Sequence, residues 1–332
     1  MRSDRKWFLL MMALIAATGP SVASAPPPVA ASGATLLVSG LEGGSGSTIG
    51  PGGALFVTEG LAGRISRVDP KTGTVSTFAS GLPPSIVGIG GAMDIAFIGS
   101  TAYVLVTLVG SDVGGSDVVG VYRVDGPDSF TVIADIGEFA LAHPPDTPFF
   151  VPTGVQYAIE TYRGGFLVSD GHHNRVLRIT LDGEVTELIT FGNIVPTGLE
   201  VSGNTIYIAQ AGPVPHLPET GKVVAVEPNK LIVTEVASGA RLLVDVEFGR
   251  GQTQFALSQG FFTPGNPEGS PADPDTGSLV EINRDGTFTV LTEGLDRPTS
   301  LEVSGNTAYV VTFDGEIWKI DNVAGPPYGA SR

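Results

Sequence analysis

The sequence predicts an all-β fold: a six-bladed β-propeller of four-stranded antiparallel blades, its ring closed by an N-terminal strand pairing with the last blade. Three observations predict it. The stretch Val195–Gln210, VPTGLEVSGNTIYIAQ, is written again at Arg297–Thr312 as RPTSLEVSGNTAYVVT, and more loosely at Val151–Asp170. Self-similarity over tens of residues marks a repeat architecture. One apolar strand of the unit recurs six times, and a strand missing at one end of the chain is present at the other.

The recurring strand is the second of each blade. It is centred on Phe56, Tyr103, Leu167, Tyr207, Ala256 and Tyr309, at intervals of 47, 64, 40, 49 and 53 residues. Third strands are expected at Arg64–Asp69, Val119–Asp125, Arg175–Thr180, Lys222–Glu227, Ser278–Asn283 and Glu316–Asp321. Fourth strands follow in five units, at Val75–Ala79, Thr131–Ala134, Val185–Thr190, Val233–Ala237 and Phe288–Thr292. Asp182-Gly183 and Asp285-Gly286 supply the turn residues of tight hairpins between third and fourth strands. The sixth unit runs out after Asp321. Its missing strand is Thr35–Leu41, TLLVSGL, which reads like Thr289–Leu295, TVLTEGL, of unit five. Docked on the sixth unit, it would close the ring and bury Leu36, Leu37 and Val38, removing an open sheet edge.

The remaining segments bound the setting. Arg2, Arg5 and Lys6 precede the apolar run Trp7–Ala17, which is too short to span a bilayer. Residues 1–24 therefore read as a signal peptide, 25–33 as a linker, 34–322 as the propeller and 323–332 as a C-terminal tail. A secreted or periplasmic location is the expectation. The chain has 332 residues and no cysteine, so disulfides and thiolate chemistry are excluded. Without residues 1–24 it holds 15 basic against 33 acidic residues, a net charge of −18. That balance argues against nucleic acid or an anionic membrane surface as partner, and no membrane insertion is expected. Forty-six glycines and 25 prolines suit many short strands joined by tight turns.

Phe166–Ile179, FLVSDGHHNRVLRI, resembles the NHL repeat, in which an apolar strand, Asp, a short loop and Asn-x-or-Arg precede Val. Residues 35–321 as a whole resemble the ScyD/ScyE family of exported propeller proteins. Ala92–Phe97 (AMDIAF), Val151–Val155 (VPTGV), Leu243–Phe248 (LVDVEF) and Gly277–Ile282 (GSLVEI) carry the likeness. The resemblance implies a part in making or handling a secreted small molecule, as in biosynthesis of the aromatic sunscreen scytonemin. Blade one departs from the pattern: Gly44–Ile49 is a Gly/Ser run where a Pro-x-Gly strand is expected.

Topology places the loop between second and third strands on the same face as the loop leading into the next blade. All four histidines map there: His143, His172, His173 and His216. So do the insertions Gly110–Asp117, Gly137–Phe150, Ala211–Gly221 and Gly260–Asp275. Loops on a rigid scaffold are where binding concentrates, so this face is the expected site, for a small-molecule ligand or for a protein partner gripped by the loops. His143, ahead of Pro144 and Pro145, reads as a stiff loop residue; His172 and His173 read as exposed turn residues that lack a third metal ligand, with His172 also a candidate ligand contact. His216, between Pro215 and Pro218, is the better ligand contact.

Asp94 and Asp245 replace the glycine of the Pro-Thr-Gly motif (Gly154, Gly198) in blades two and five. Three steps apart in a ring of six, they should face each other across the axis. There they would either hold a divalent cation such as calcium, or a ligand hydroxyl, or cap backbone N–H groups. Glu59, Asp170, Gln210, Gln259 and Thr312, just past the centres of second strands, would form a polar collar at the mouth, with Glu59, Gln210 and Gln259 as candidate ligand contacts beside the plain reading of polar strand ends in a wet channel. Asp170 also reads as a partner of Arg175.

Several chemistries are excluded or weakened. No Gly-x-Ser-x-Gly elbow, His-Glu-x-x-His helix, Walker loop or dinucleotide fingerprint occurs. Glu268, Asp273 and Asp275 lack the spacing of a calcium loop. A six-bladed calcium lactonase would need an Asn beside the acids Glu59, Asp94 and Asp245, and none is evidently placed. A quinone-dependent dehydrogenase would need Arg and Lys in the channel, whereas the basic residues here sit mainly on third strands. Three readings stay open: a small-molecule binding or accessory protein, a metal-dependent lactonase-type hydrolase, and an interaction scaffold.

Overall fold

The computed structural model describes residues 33–214, 219–266 and 270–325. The expected signal peptide, nearly all of the linker, most of the tail, His216 and Glu268 lie outside them. Among the described residues the chain forms six four-stranded antiparallel sheets. Strand β1 (Ala34–Val38) comes first. Blade one is β2 (Gly44–Ile49), β3 (Leu55–Glu59), β4 (Arg64–Val68) and β5 (Val75–Ser80); blade two is β6 (Gly91–Ile98), β7 (Thr101–Thr107), β8 (Gly120–Gly126) and β9 (Ser129–Asp135). Blade three is β10 (Gln156–Tyr162), β11 (Gly165–Asp170), β12 (Arg175–Ile179) and β13 (Val185–Thr190). Blade four is β14 (Pro196–Ser202), β15 (Thr205–Gln210), β16 (Gly221–Glu227) and β17 (Ile232–Ala240). Blade five is β18 (Leu243–Phe248), β19 (Gln254–Ser258), β20 (Gly277–Ile282) and β21 (Phe288–Leu295). Blade six joins β22 (Pro298–Ser304), β23 (Thr307–Thr312) and β24 (Ile317–Asp321) to β1.

The first strands β2, β6, β10, β14, β18 and β22 neighbour one another in a closed circle around the axis. Apolar side chains from consecutive blades interdigitate between the sheets. Phe56 of blade one meets Phe97 of blade two at 4.8 Å, Tyr103 meets Phe166 at 4.8 Å, and Tyr207 meets Phe248 at 4.8 Å between ring centroids. Pairs of this geometry contribute about 0.5–1.5 kcal/mol each beyond the area they bury. The Gly/Ser run of blade one forms a regular first strand, β2, despite its departure from the pattern.

Every blade carries the same two irregularities. Each first strand holds one extra residue against its partner, between Gly44/Ser47, Ala92/Asp94, Gln156/Ile159, Pro196/Leu199, Leu243/Asp245 and Pro298/Ser300. A bulge of this kind bends the strand and re-aims its side chains. Each outer strand has a second bulge against the third strand. In β1 it falls at Leu36/Val38 opposite Trp318/Ile317, as it falls at Thr77/Ala79 of β5 opposite Ser66/Ile65. β1 is therefore a fourth strand in every detail, supplied from the other end of the chain. The burial differs from the sequence expectation. Leu36 is 38% exposed on the outer rim, while Val38 and Leu41 are the buried anchors. Leu41 also donates its N–H to Gly315 O at 3.0 Å.

One helix interrupts the all-β pattern. α1 (Ile136–Ala142) sits in the insertion leading to blade three, and Asp135 caps it by accepting the Glu138 N–H at 2.7 Å. Ile136 and Ala140 are its buried face. The capping Asp with an acidic residue three positions on is a helix-start signature that the strand periodicity had masked.

Deleting residues 34–41 should leave blade six three-stranded with β24 as an open edge. The expected outcome is aggregated or non-cooperatively unfolding protein, measured by size-exclusion chromatography and thermal melts. A melt unchanged from the full chain would refute closure by β1.

Candidate functional site

The bulge on each first strand places side chains at the seams between blades. Asp94 accepts the N–H of Ile95 in its own strand and of Ile159 in blade three, both at 2.8 Å. Asp245 does the same at the other side of the ring, accepting from Val246 at 2.9 Å and from Leu301 of blade six at 2.8 Å. Hydroxyls close the remaining seams. Thr58 donates to Met93 O, Ser169 to Thr197 O, Thr197 to Leu243 O and Thr299 to Gly44 O. Between blades six and one, Ser47 and Ser300 also pair at 2.8 Å, and Glu302 accepts the N–H of Ile49. Both aspartates are thus inter-blade latches. Each oxygen of each carboxylate already holds a backbone N–H.

Inside the circle of first strands lies an axial cavity of about 170 Å³. Its mouth, on the histidine-bearing face, is mainly apolar and aromatic: Val155, Tyr157, Leu242 and Phe313, with His172 and Gln259. Deeper in, Asp94, Asp245, Glu160, Glu247 and Glu302 border it. These carboxyls are raised above the ordinary carboxylate range, chiefly because burial disfavours the charged form, an effect the backbone N–H bonds only partly offset at the aspartates. Asp245 is pushed up to about 7, and Glu200 to about 8 with repulsion from Glu160 and Asp245 added. Mutual repulsion adds to burial at Glu247 and Glu302 as well.

The collar expected at the ends of second strands is not a mouth. Glu59 is buried in blade one, accepting from Arg64 at 2.8 and 2.6 Å, from Ser66 at 2.5 Å and from the Glu42 N–H at 2.6 Å. Burial raises its pKa, but those bonds outweigh it and hold the carboxyl below its usual range. Asp170 accepts from Gln156 at 2.9 Å and Arg175 at 2.8 Å. Gln210 and Thr312 are buried too. Of the collar only Gln259 borders the cavity, and its Oε1 holds the Ala272 N–H at 3.0 Å. Its register explains why: Phe255, not Ala256, pairs opposite Glu247 at the blade centre, so the collar position of blade five is Ser258. The bulges likewise shift the glycine alignment. Ala158, not Gly154, is the blade-three counterpart of Gly198 and the two aspartates.

The histidine pair is buried rather than exposed, His172 at 6% and His173 at 1% relative exposure. The short helical turn after β11 folds both inward. His173 is held by Asp170 Oδ2 at 3.1 Å and Val151 O at 3.0 Å, making it structural. His172 reaches the cavity, with Nε2 3.0 Å from Tyr157 Oη and the Phe150 ring edge-on at 5.0 Å. His143 follows α1, its ring stacked on Phe139, and its carbonyl accepts from Arg175 at 2.7 Å.

Sequence reasoning missed the acidic ring below the latches. Its signal was present: the dipeptides Ile159-Glu160, Leu199-Glu200, Val246-Glu247 and Leu301-Glu302 recur at one point of the repeat. Among the described residues no group of three or more His, Asp or Glu is placed to hold a metal ion. Among the described residues bordering the cavity there is no Asn, Arg or Lys. The donor set a six-bladed calcium lactonase needs, and the basic set a quinone cofactor needs, are therefore missing from this lining.

No protein-family model matches the chain. No curated protein matches it by sequence. Solved structures do match it in fold. A gluconolactonase from Xanthomonas campestris superposes with a TM-score of 0.59 at 12% identity, covering 86% of this chain and 88% of that one. The PQQ-bound aldose sugar dehydrogenase of Streptomyces coelicolor gives 0.55 at 14% identity, covering 90% and 99%. Virginiamycin B lyase of Staphylococcus aureus gives 0.52 at 13% identity, covering 87% and 98%. The chain is a six-bladed β-propeller. At these identities the likeness extends to the fold alone.

Replacing Asp94 or Asp245 by Ala leaves two backbone N–H groups without acceptors and opens one seam. Each substitution should lower stability by about 1–3 kcal/mol, measured by chemical denaturation. Asn keeps one acceptor but turns a donor onto the other N–H, so it should recover only part of the loss.

Proposed function

We propose that this chain is an exported small-molecule-binding or accessory propeller of the ScyD/ScyE kind, with the axial cavity as its ligand site. The observation that carries the reading is the composition of that cavity: an apolar and aromatic mouth at Val155, Tyr157, Leu242 and Phe313 above a polar interior of carboxyl groups. Concave sites of this make-up, apolar walls with a few converging polar groups, are the usual seats of small ligands. The ligand's body would sit against Tyr157 and Phe313, and its hydroxyl or amine groups would meet Gln259, His172 and the carboxylates. The aldose sugar dehydrogenase with PQQ bound is a propeller of this fold that holds a small molecule, which fits the reading. The family resemblance supports a secreted secondary metabolite, scytonemin-like, as the kind of molecule handled.

The test is a small-molecule extract of the protein purified from the exported fraction, analysed by mass spectrometry. A molecule should co-purify with the wild type and be lost from Ala158→Leu, which fills the axis beside the bulge. Recovery of the same molecule from both proteins would place it elsewhere, and recovery of none from either would refute the reading.

A further inference from the structure

Four consecutive blades carry a glutamate at one register of the first strand. Glu160 lies opposite Leu167, Glu200 opposite Tyr207, Glu247 opposite Phe255 and Glu302 opposite Tyr309. Blades one and two place Thr48 and Ala96 there, opposite Phe56 and Tyr103. The ring lies two residues along the strands from the latch aspartates, so six carboxyls converge on one axis. All are only partly accessible, and three of the four glutamates border the cavity directly.

Among the described residues no Lys or Arg borders the cavity they line. The second strands behind the ring present Leu167, Tyr207, Phe255 and Tyr309 at this level, and the first strands of blades one and two add only Thr48, Ala96 and Asp94. Third-strand residues of the same row, Arg178, Ala225, Glu281 and Lys319, are separated from the axis by the intervening second strand. Of the basic residues in the turns that follow the ring, Arg163 binds Asn204 and Asn229 at 2.9 Å each, and Arg250 is exposed in the turn after β18. His172 stands at the mouth. Like charges crowded in this way cannot all ionise.

We propose that the ring of Glu160, Glu200, Glu247 and Glu302 is a pH-operated clasp. Protonated, the glutamates let the first strands close on the axis; ionised, they repel across it and loosen the ring. The clasp does not depend on the ligand proposed above. Burial, then mutual repulsion, raises Glu200 to about 8 and lifts Glu247 and Glu302 well above their ordinary value. Native protein then binds more protons than unfolded chain. Such groups contribute stability that is complete below the unfolded carboxyl range, near pH 4.5, and is lost as pH rises through their raised folded values, about 8 at Glu200.

The experiment is the melting temperature of the full chain between about pH 5 and about pH 9, at constant ionic strength. It should fall across that range. Glu200→Gln with Glu247→Gln should flatten the fall and raise the melting temperature at the alkaline end. The exposed control, Glu184→Gln with Glu293→Gln, should keep the wild-type slope. Infrared spectroscopy of the wild type at neutral pH should show a protonated carboxyl band, which decides the matter even if the ring variant misfolds. A flat profile, a ring variant with the wild-type slope, or no protonated band would each overturn the clasp.

Discussion

The structure depends on how the inner edge of each blade is satisfied. A first strand pairs on one side only; its other edge faces the axis, with N–H groups that no strand can accept. Water could serve them on an open surface, but six such edges converge on a narrow space. Unpaired backbone donors in that position are costly. The chain answers with acceptors sent from the neighbouring blade: Asp94 to Ile159, Asp245 to Leu301 and Glu302 to Ile49. The bulge makes this possible, because the extra residue turns a side chain out of the pleat toward the next blade. It also frees an N–H in the same strand, which Asp94 and Asp245 accept with their second oxygen. One local irregularity, repeated six times, both creates the need and supplies the remedy.

That solution has an electrostatic cost. Carboxylates are acceptors only, so they suit a row of donors better than an amide or an alcohol does. Gathered on one axis, however, they repel one another and lose hydration. The sequence limits the cost by giving three seams, one to two, three to four and four to five, to Thr58, Ser169 and Thr197. Hydroxyl latches carry no charge. The two aspartates stand at opposite sides of the ring, as far from each other as six blades permit. Glu59 shows the contrast: with Arg64 beside it the carboxyl stays below its usual range, whereas among the described residues no axial carboxyl has such a partner.

The fold was legible because its signals are local and repeated. The Ser-Gly-Asn turns, the Asp-Gly hairpins and the alternating strands each report on a few neighbouring residues, and six copies reinforce one another. Even the closing strand was legible, since TLLVSGL matches TVLTEGL of blade five. Register was not. A one-residue bulge is invisible to a pattern read by counting, so Gly154 was aligned where Ala158 stands and Gln259 where Ser258 stands. The same slip hid which residues reach the axis. Burial of His172 and His173 was illegible for another reason: the turn that folds them inward is fixed by Asp170, Val151 and Tyr157, none of which a loop sequence reveals as partners.

The axis and its mouth therefore need to be weighed differently as functional surfaces. Polar residues deep in the channel are there first to hold the ring, and their presence alone says little about a ligand. The mouth closes no seam by hydrogen bonds. Tyr157, Phe313 and Leu242 border the cavity, and Tyr157 and Leu242 also pack with Val195, Ala211 and Ala272 between blades three, four and five. His172 belongs with them, because it is the member of the histidine pair that meets the cavity, whereas His173 meets only its own blade and the loop that leads into it. Any specificity this propeller has must be written where the fold leaves the sequence free, and that is the rim of blades three, five and six.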